Sequence, residues 1–420
     1  MAVIVAMQKT SLSILLALGT TVASAQQHRV LFIGNSYTSV NNLSEMTRQL
    51  ALSLGDTLEV ASSSPGGFIF SQHCTNTATQ GLIDQGDWDF VVLQEQSQLP
   101  SFPPAQVAND CLPYAQALVD SIAAHSPCAE TVFYMTWGRE NGDQQNCAAW
   151  PPVCTYEGMQ AQLRMSYLQM AADNGAECAP LGMAWKRVRD QYPAINLYSG
   201  DGSHPSVAGS YLAACTMYST FFRQPTVGAT YTASLDAATV AMLQQVASAV
   251  VLDSLDTWNI GVYDPVALPQ HTDLGSGQIA FSQASVNATQ HFWDLGDGST
   301  STEGSFTHTY AATGNYTVTY IATDDCGRSD TSTFTVNVGT TGMAEQPVEG
   351  FSVQAGEDGM WVRSPQAGIL TLYSLHGQIL VRRRVAGDRM ERVQLPRGTA
   401  SAWRFIAEGG QVAGGVVVRP

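Results

Sequence analysis

The sequence predicts an α/β sandwich with a mainly parallel sheet, followed by two small all-β modules. Three observations predict it. Short apolar runs at 30–33, 90–93 and 131–135 have the length and unbroken hydrophobicity of strands buried on both faces. Segments of helical periodicity stand between and after them, over 43–54, 107–124, 159–172, 207–222 and 237–255. From about residue 263 the composition turns to Thr, Ser, Gly and β-branched residues in runs of period two.

The N-terminus reads as an export signal. Lys9 precedes an apolar stretch at 11–20, and Ala23-Ser24-Ala25 has the small-residue form of a cleavage site; Met7 offers an alternative start. Residues 1–25 are therefore set apart as a signal peptide. No other apolar run reaches the ~20 residues that cross a bilayer. The mature chain is expected to be exported, with no transmembrane segment.

Cysteine usage agrees with export. Seven of the eight cysteines lie between Cys74 and Cys215, and an oxidising compartment favours disulfides. Cys147 and Cys154 flank a Trp-Pro-Pro loop that a bridge would pin. Cys74, Cys111, Cys128 and Cys178 are expected to supply two more bridges, in an order the sequence leaves open. Cys215 lies in an apolar helical stretch and is expected to be a buried thiol. No Cys-x-x-Cys pair suggests zinc. The net charge of −16 argues against nucleic acid and anionic membranes as partners. Residues 345–420 hold nine of the nineteen basic residues, and that shift marks a domain boundary.

The first domain, 27–262, carries the chemistry. Its opening apolar run ends in Gly34-Asn35-Ser36. A serine after a strand is commonly a turn residue or helix cap. Gly34 and Asn35 permit a tight turn, however, and the C-terminal edge of a parallel strand is where open α/β sheets hold ligands. Far along the chain stands Asp201-Gly-Ser-His204-Pro205. The spacing lets one loop present both side chains, with the Asp201 carboxylate orienting the imidazole; the alternative is that Asp201 caps a turn. Ser36, His204 and Asp201 together supply nucleophile, base and orienting acid.

These two blocks closely resemble the SGNH, or GDSL-type, hydrolases. That family has Gly-Asp-Ser or Gly-Asn-Ser after its first strand and Asp-x-x-His before its last helix. Here the helix continues Ser206-Val-Ala-Gly-Ser. The resemblance covers about 28–225 and implies a flavodoxin-like α/β/α sandwich, a serine esterase activity and no cofactor. It makes Ser36 the nucleophile, His204 the base and Asp201 its orienting acid. It also implies an oxyanion hole from the Ser36 N–H, a glycine after strand two and an amide after strand three. Ser64-Pro65-Gly66-Gly67 supplies the glycine, with Gly67 preferred to Gly66. The family's Gly-x-Asn-Asp is missing. In its place Trp88-Asp-Phe-Val-Val-Leu-Gln94-Glu95-Gln96-Ser97 resembles a divergent branch, and Gln94 is assigned the donor role with Gln96 as substitute. Glu95 is expected to be a hydrogen-bond acceptor rather than a second acid. Trp137-Gly-Arg139-Glu140 follows a strand-like run, either lining the pocket or forming an ordinary loop. His73 is expected at the surface.

The two β modules follow. In 263–340, Phe292-Trp-Asp-Leu-Gly-Asp-Gly298, His308-Thr-Tyr310 and Gly314-Asn-Tyr-Thr-Val318 resemble the PKD domain, an immunoglobulin-like sandwich. Asp294, Asp297, Asp324 and Asp325 are either calcium ligands or, more ordinarily, solvated turn acids. A linker at 341–344 leads to 345–420. There Leu370–Gly377, Val393–Gly398 and Gly415–Arg419 resemble the C-terminal sorting domain of the type IX secretion system of Bacteroidetes. That implies the secretion machinery as a partner and a secreted or surface-attached product. The sequence departs from the pattern after Leu395-Pro396, where Gly-x-Tyr is usual; an ordinary β-sandwich appendage is the alternative.

The expected activity is ester hydrolysis, with a small acyl group on carbohydrate as the first choice of substrate. Two rivals stand beside it: a non-catalytic glycan-binding or adhesion protein on a decayed hydrolase fold, and a thioesterase or peptidase using the same triad.

Overall fold

The computed structural model describes residues 25–339, 350–356, 359–374, 379–394, 400–408 and 412–418. The signal segment up to Ser24, the 341–344 linker, and His376-Gly377 and Leu395–Gly398 of the sorting pattern lie outside the described residues.

The first domain is built on five parallel strands, β1 (Gln27–Ile33), β2 (Thr57–Ser63), β3 (Phe90–Leu93), β4 (Glu130–Tyr134) and β5 (Glu177–Ala179). Their order across the sheet is β2-β1-β3-β4-β5, the flavodoxin-like 2-1-3-4-5 arrangement. The three central strands are the apolar runs that the sequence singles out. The edge strands lack that signature: β2 mixes exposed and buried residues, and β5 has three residues.

Ten helices cover the sheet: α1 (Ser36–Ser39), α2 (Leu43–Leu54), α3 (Phe70–His73), α4 (Thr77–Ile83), α5 (Pro104–Asp110), α6 (Leu112–His125), α7 (Tyr156–Asp173), α8 (Leu181–Gln191), α9 (Val207–Phe222) and α10 (Ala237–Leu252). Successive strand residues point to opposite faces, so two cores form. Val30 and Phe32 pack with α2, α8, α9 and α10. Leu31 and Ile33 pack with α6 and α7. The helix expected over 107–124 is two, broken at Cys111 (φ −123°, ψ −59°) before Pro113, whose ring fits only the first turn of a helix.

The disulfides correct part of the expectation. Cys147 pairs with Cys154, and Cys215 is a buried thiol. Cys74, Cys111 and Cys178 form no bridge; Cys128 instead pairs with Cys326 of the following module, 198 residues on. Cys111 and Cys178 lie within the second core, buried among apolar side chains.

That module is a two-sheet sandwich. Gln278–Gln283 pairs antiparallel with Pro269–Gly275 and Ser305–Thr309. Gly314–Thr323 lies between Ser329–Val338 and Gln290–Asp294. Trp293 of the Trp-Asp motif is fully buried among Phe281, Leu295 and Tyr320. Its acids are taken up locally: Asp297 meets His308, and Asp324 accepts from Cys326 N and from Arg328. The last module also forms antiparallel sheets, around Gly359–Ser364 and Gly368–Tyr373. No helix among the described residues is long and apolar enough to cross a membrane.

Candidate active site

β1 delivers the chain to the C-terminal edge of the sheet, where Gly34 turns it. A Cβ on Gly34 would lie 2.6 Å from both Gln94 Oε1 and Thr38 Oγ1, so only glycine fits. Asn35 then caps the short α1: its Oδ1 accepts from Tyr37 N at 3.1 Å. The same oxygen accepts from Gln94 Nε2 at 2.9 Å, and Asn35 Nδ2 donates to Phe68 O at 2.9 Å. One side chain thus ties the serine turn to the loops after β2 and β3. Ser36 opens α1 and is half-buried.

The second part of the site is the loop before α9. Tyr198 bridges Pro205, and Ser199 N donates to His204 O at 2.8 Å. Gly202 sits at φ +66° in the bend, a conformation that favours glycine. Asp201 Oδ1 accepts from Ser199 Oγ (2.8 Å), Ser203 N (2.9 Å) and His204 N (2.9 Å). Its Oδ2 lies 2.5 Å from His204 Nδ1, and His204 Nε2 lies 2.9 Å from Ser36 Oγ. The neutral tautomer that satisfies both contacts donates from Nδ1 to Asp201 and accepts at Nε2 from the serine. Burial pushes the Asp201 carboxyl up, but hydrogen bonds from His204, Ser203 N and Ser199 outweigh it and hold the group well below the usual carboxylate range. Asp201 therefore caps its own turn and faces the imidazole; the two readings of its role are compatible.

Aromatic packing holds the loop. Trp137 stacks between Tyr37 (ring centroids 4.7 Å apart) and Trp185 (3.7 Å), and Tyr37 meets the His204 ring edge-on at 5.6 Å. Trp137 Nε1 donates to Ser203 O at 3.0 Å, and the Tyr37 hydroxyl contacts Ser203 Oγ at 2.7 Å. Glu140 N donates to Gly202 O at 2.8 Å. Residues 137–140 thus brace the His204 loop from one side. Trp137 is buried support and not an exposed wall.

Two candidates need correction. Gln94 is fully buried, and both its amide hydrogens are engaged, by Asn35 Oδ1 and by Glu95 O at 2.6 Å. It braces the turn and has no N–H left for an oxyanion. Gln96 is half-buried; its Oε1 accepts from Gln98 N at 2.7 Å, while its Nε2 makes only contacts of 3.3 and 3.4 Å. His73 is not at the surface. Helix α3 tucks it under the turn, where Nε2 meets Gly34 O at 2.8 Å and Nδ1 meets Thr79 Oγ1 at 2.9 Å. Burial lowers its pKa, so it sits as a neutral strut.

Gly67 lies at φ +74° in a turn closed by Phe68 N to Pro65 O at 3.3 Å. Among the described residues, neither the Gly67 N–H nor the Ser36 N–H has a hydrogen-bond partner. Glu95 is the acceptor expected of it. It is fully buried, and its carboxyl takes Phe70 N at 3.0 Å and Gln96 N at 2.6 Å, joining the loop after β2 to the loop after β3. Burial pushes its pKa up to about 8, against those two backbone bonds.

Sequence reasoning missed Asn35 as a brace, and Tyr37, Trp185 and Ser203 altogether. Tyr37 and Ser203 sit beside residues already chosen. Nothing in the sequence points to Trp185, which arrives from α8.

Residues 270–338 match the PKD domain family. Over 69 residues, 16% of this chain, it is 42% identical to the pre-pro-metalloprotease PrtV of Vibrio cholerae; the match spans 8% of that protein. Among solved structures, a DUF4886 family protein from Bacteroides uniformis is similar at 18% identity, covering 54% of this chain and 95% of its own, with a TM-score of 0.48. A candidate SGNH hydrolase from Slackia heliotrinireducens is similar at 28% identity, covering 46% of this chain and 99% of its own, with a TM-score of 0.39.

Proposed function

We propose that this chain is a secreted serine esterase of the SGNH type, acting through Ser36, His204 and Asp201. One observation carries the reading: an unbroken relay of 2.5 Å and 2.9 Å contacts from Asp201 through His204 to the Ser36 hydroxyl. The elements that present it lie at the edge where parallel sheets bind ligands.

The steps follow from the geometry. Ser36 Oγ attacks the ester carbonyl as His204 Nε2 takes its proton. Asp201, held ionised by its hydrogen bonds, stabilises the imidazolium through Nδ1–H. The carbonyl oxygen becomes an oxyanion facing the free N–H groups of Ser36 and Gly67, with Gln96 Nε2 as third donor in place of Gln94. His204 returns the proton to the leaving alcohol, and an acyl-serine remains. Water, deprotonated by His204, then releases the acid and restores the hydroxyl. Every step draws on these side chains, the backbone N–H groups and water.

The substrate we favour is a small acyl ester, such as acetyl, on carbohydrate. The terminal module is read as a type IX sorting domain, which with the N-terminal signal gives secretion or attachment at the cell surface.

The test is hydrolysis of p-nitrophenyl acetate and butyrate by the full mature chain beside Ser36→Ala. Loss on the order of 10³-fold or more in a folded variant is expected. Equal rates in both proteins would refute the assignment and turn attention to glycan binding without turnover.

A further inference from the structure

We infer that Arg139 recognises a carboxylate on the substrate, beside Ser36. This rests on the esterase reading above and deepens it.

Position comes first. Arg139 follows β4 at the same edge of the sheet as Ser36, and its neighbours are fastened to the catalytic loop. Gly138 O accepts from the Tyr198 hydroxyl at 2.6 Å, and Glu140 N donates to Gly202 O. The guanidinium is near enough to act electrostatically on the Tyr37 phenol, which lies against the His204 ring and Ser203.

Its bonding capacity is largely unused. Among the described residues its one ion pair is Nη1 to Asp143 Oδ1 at 3.4 Å. Asp143 does not depend on it. That carboxylate is fully buried and takes closer bonds from Asn146 Nδ2 (2.7 Å), Gln98 Nε2 (2.8 Å) and Gln145 N (3.2 Å). A guanidinium carries five N–H donors in a rigid fork. In Arg139 the buried Nε has no partner, and about a quarter of the side chain is exposed. Arg189, close by, is the contrast. Its guanidinium lies 4.0 Å from the Tyr156 ring centroid and 5.3 Å from that of Tyr198, and it donates to Glu140 O.

The site is also held in advance of binding. The Cys147–Cys154 bridge closes a loop to which Asp143 is tied, Asp143 N donating to Val153 O at 2.7 Å, and Gly142 packs so tightly that a Cβ would lie 2.5 Å from Val153 O. A fixed fork matches a carboxylate in two parallel hydrogen bonds. Nearby negative groups set the charge of the ligand. Asp143 offsets part of the guanidinium, Asp201 serves His204, and Glu140 is exposed. What Asp143 leaves uncompensated on the guanidinium suits a monoanion at most.

The carboxylate belongs either to the acyl group or to the alcohol, and two substrate pairs separate these. Mono-p-nitrophenyl succinate and p-nitrophenyl butyrate share a four-carbon acyl chain and differ in its charged end. Acetylated polygalacturonate and acetylated xylan differ in the charge on the alcohol. Each is assayed with the parent chain, Arg139→Gln, Arg139→Lys and Ser36→Ala. In one pair the anionic-to-neutral ratio of kcat/KM is expected to fall about tenfold or more in Arg139→Gln, mainly through KM, with partial recovery in Arg139→Lys. The pair that responds identifies the side bearing the charge. Ratios unchanged in both pairs, with turnover still dependent on Ser36, overturn this inference alone. Hydrolysis that survives Ser36→Ala overturns the esterase reading and this inference with it. Should Arg139→Gln not fold, an Arg139→Lys ratio equal to the parent's in both pairs also overturns it.

Discussion

The two edges of the central sheet use similar side chains in different circuits. At the N-terminal edge Glu130 and Glu177 open β4 and β5, and Arg223 ends α9 against them at 3.6 and 3.4 Å. Arg223 also pairs with Asp264. Arg328 of the PKD domain reaches Glu130 at 3.0 Å, Asp264 at 3.4 Å and Asp324 at 2.7 Å. Cys128–Cys326 joins the two domains beside them. Both arginines there end on carboxylates. At the C-terminal edge the Asp201 carboxylate ends on an imidazole, and the imidazole ends on a hydroxyl. Such a circuit has a proton to move. Charged residues alone do not mark the site; an interaction left open to a substrate does.

The largest effect should come from cutting the open circuit. His204→Ala removes the proposed base and is expected to lower kcat by on the order of 10⁴-fold. The melting temperature should stay near the parent's, because the loop keeps its bonds to Trp137, Tyr198 and Glu140. A collapse of folding in this variant would show that the imidazole is structural and would break the contrast. The reverse experiment is Arg223→Met. It leaves Glu177, which is nearly all buried and already pushed up by burial and by Glu130, without its cation. Removing one partner of a buried pair costs about 3 kcal/mol or more, readable by denaturant unfolding. Turnover per folded molecule should not change; a catalytic defect would mean that the two edges communicate.

The difference between the edges also explains what could be read in advance. Continuous apolar runs revealed the buried strands, and the motifs around Ser36 and His204 revealed the relay, because both signals are local in the chain. Gln94 was misjudged as a free donor because Gln94 and Gln96 are the same residue type two positions apart. Only burial tells them apart: Gln94 lies over Gly34 with both its amide hydrogens engaged, while Gln96 is half-buried. Cys128 was matched to the wrong class of partner because its bridge crosses a domain boundary. Trp185 was invisible for a similar reason: its role comes from stacking on Trp137, residues distant in sequence. Contacts that bring separate segments together leave no periodic trace in either one.

A smaller effect is expected at the domain joint. Cys326→Ser opens the 198-residue link and should cost about 2–4 kcal/mol, shared with whatever the ion pairs retain. Limited proteolysis around residue 263 would report the loosened joint, and esterase rates should hold. If Arg328→Met together with Cys326→Ser destabilises the protein no more than Cys326→Ser does, the ion pairs at this edge contribute nothing of their own.

The finest test concerns Glu95, a buried carboxyl at the C-terminal edge with no cation facing it among the described residues. Desolvation raises its pKa to about 8 from the ordinary 4.5, although Gln96 N and Phe70 N favour the charged form. The sign follows from proton counting. Between pH 4.5 and 8 the folded protein holds a proton on Glu95 that the unfolded chain has released. Stability therefore falls as pH rises through that window, by at most about 1.4 kcal/mol per pH unit. Glu95→Gln keeps an acceptor for one backbone N–H and cannot titrate. The gap between parent and variant should therefore close or reverse toward pH 8, in unfolding curves taken at one-unit steps. A gap that stays constant with pH would show the carboxylate to be ionised throughout, stabilised by its two backbone N–H groups. The catalytic edge would then carry a buried charge satisfied by the backbone, where its opposite edge uses arginine.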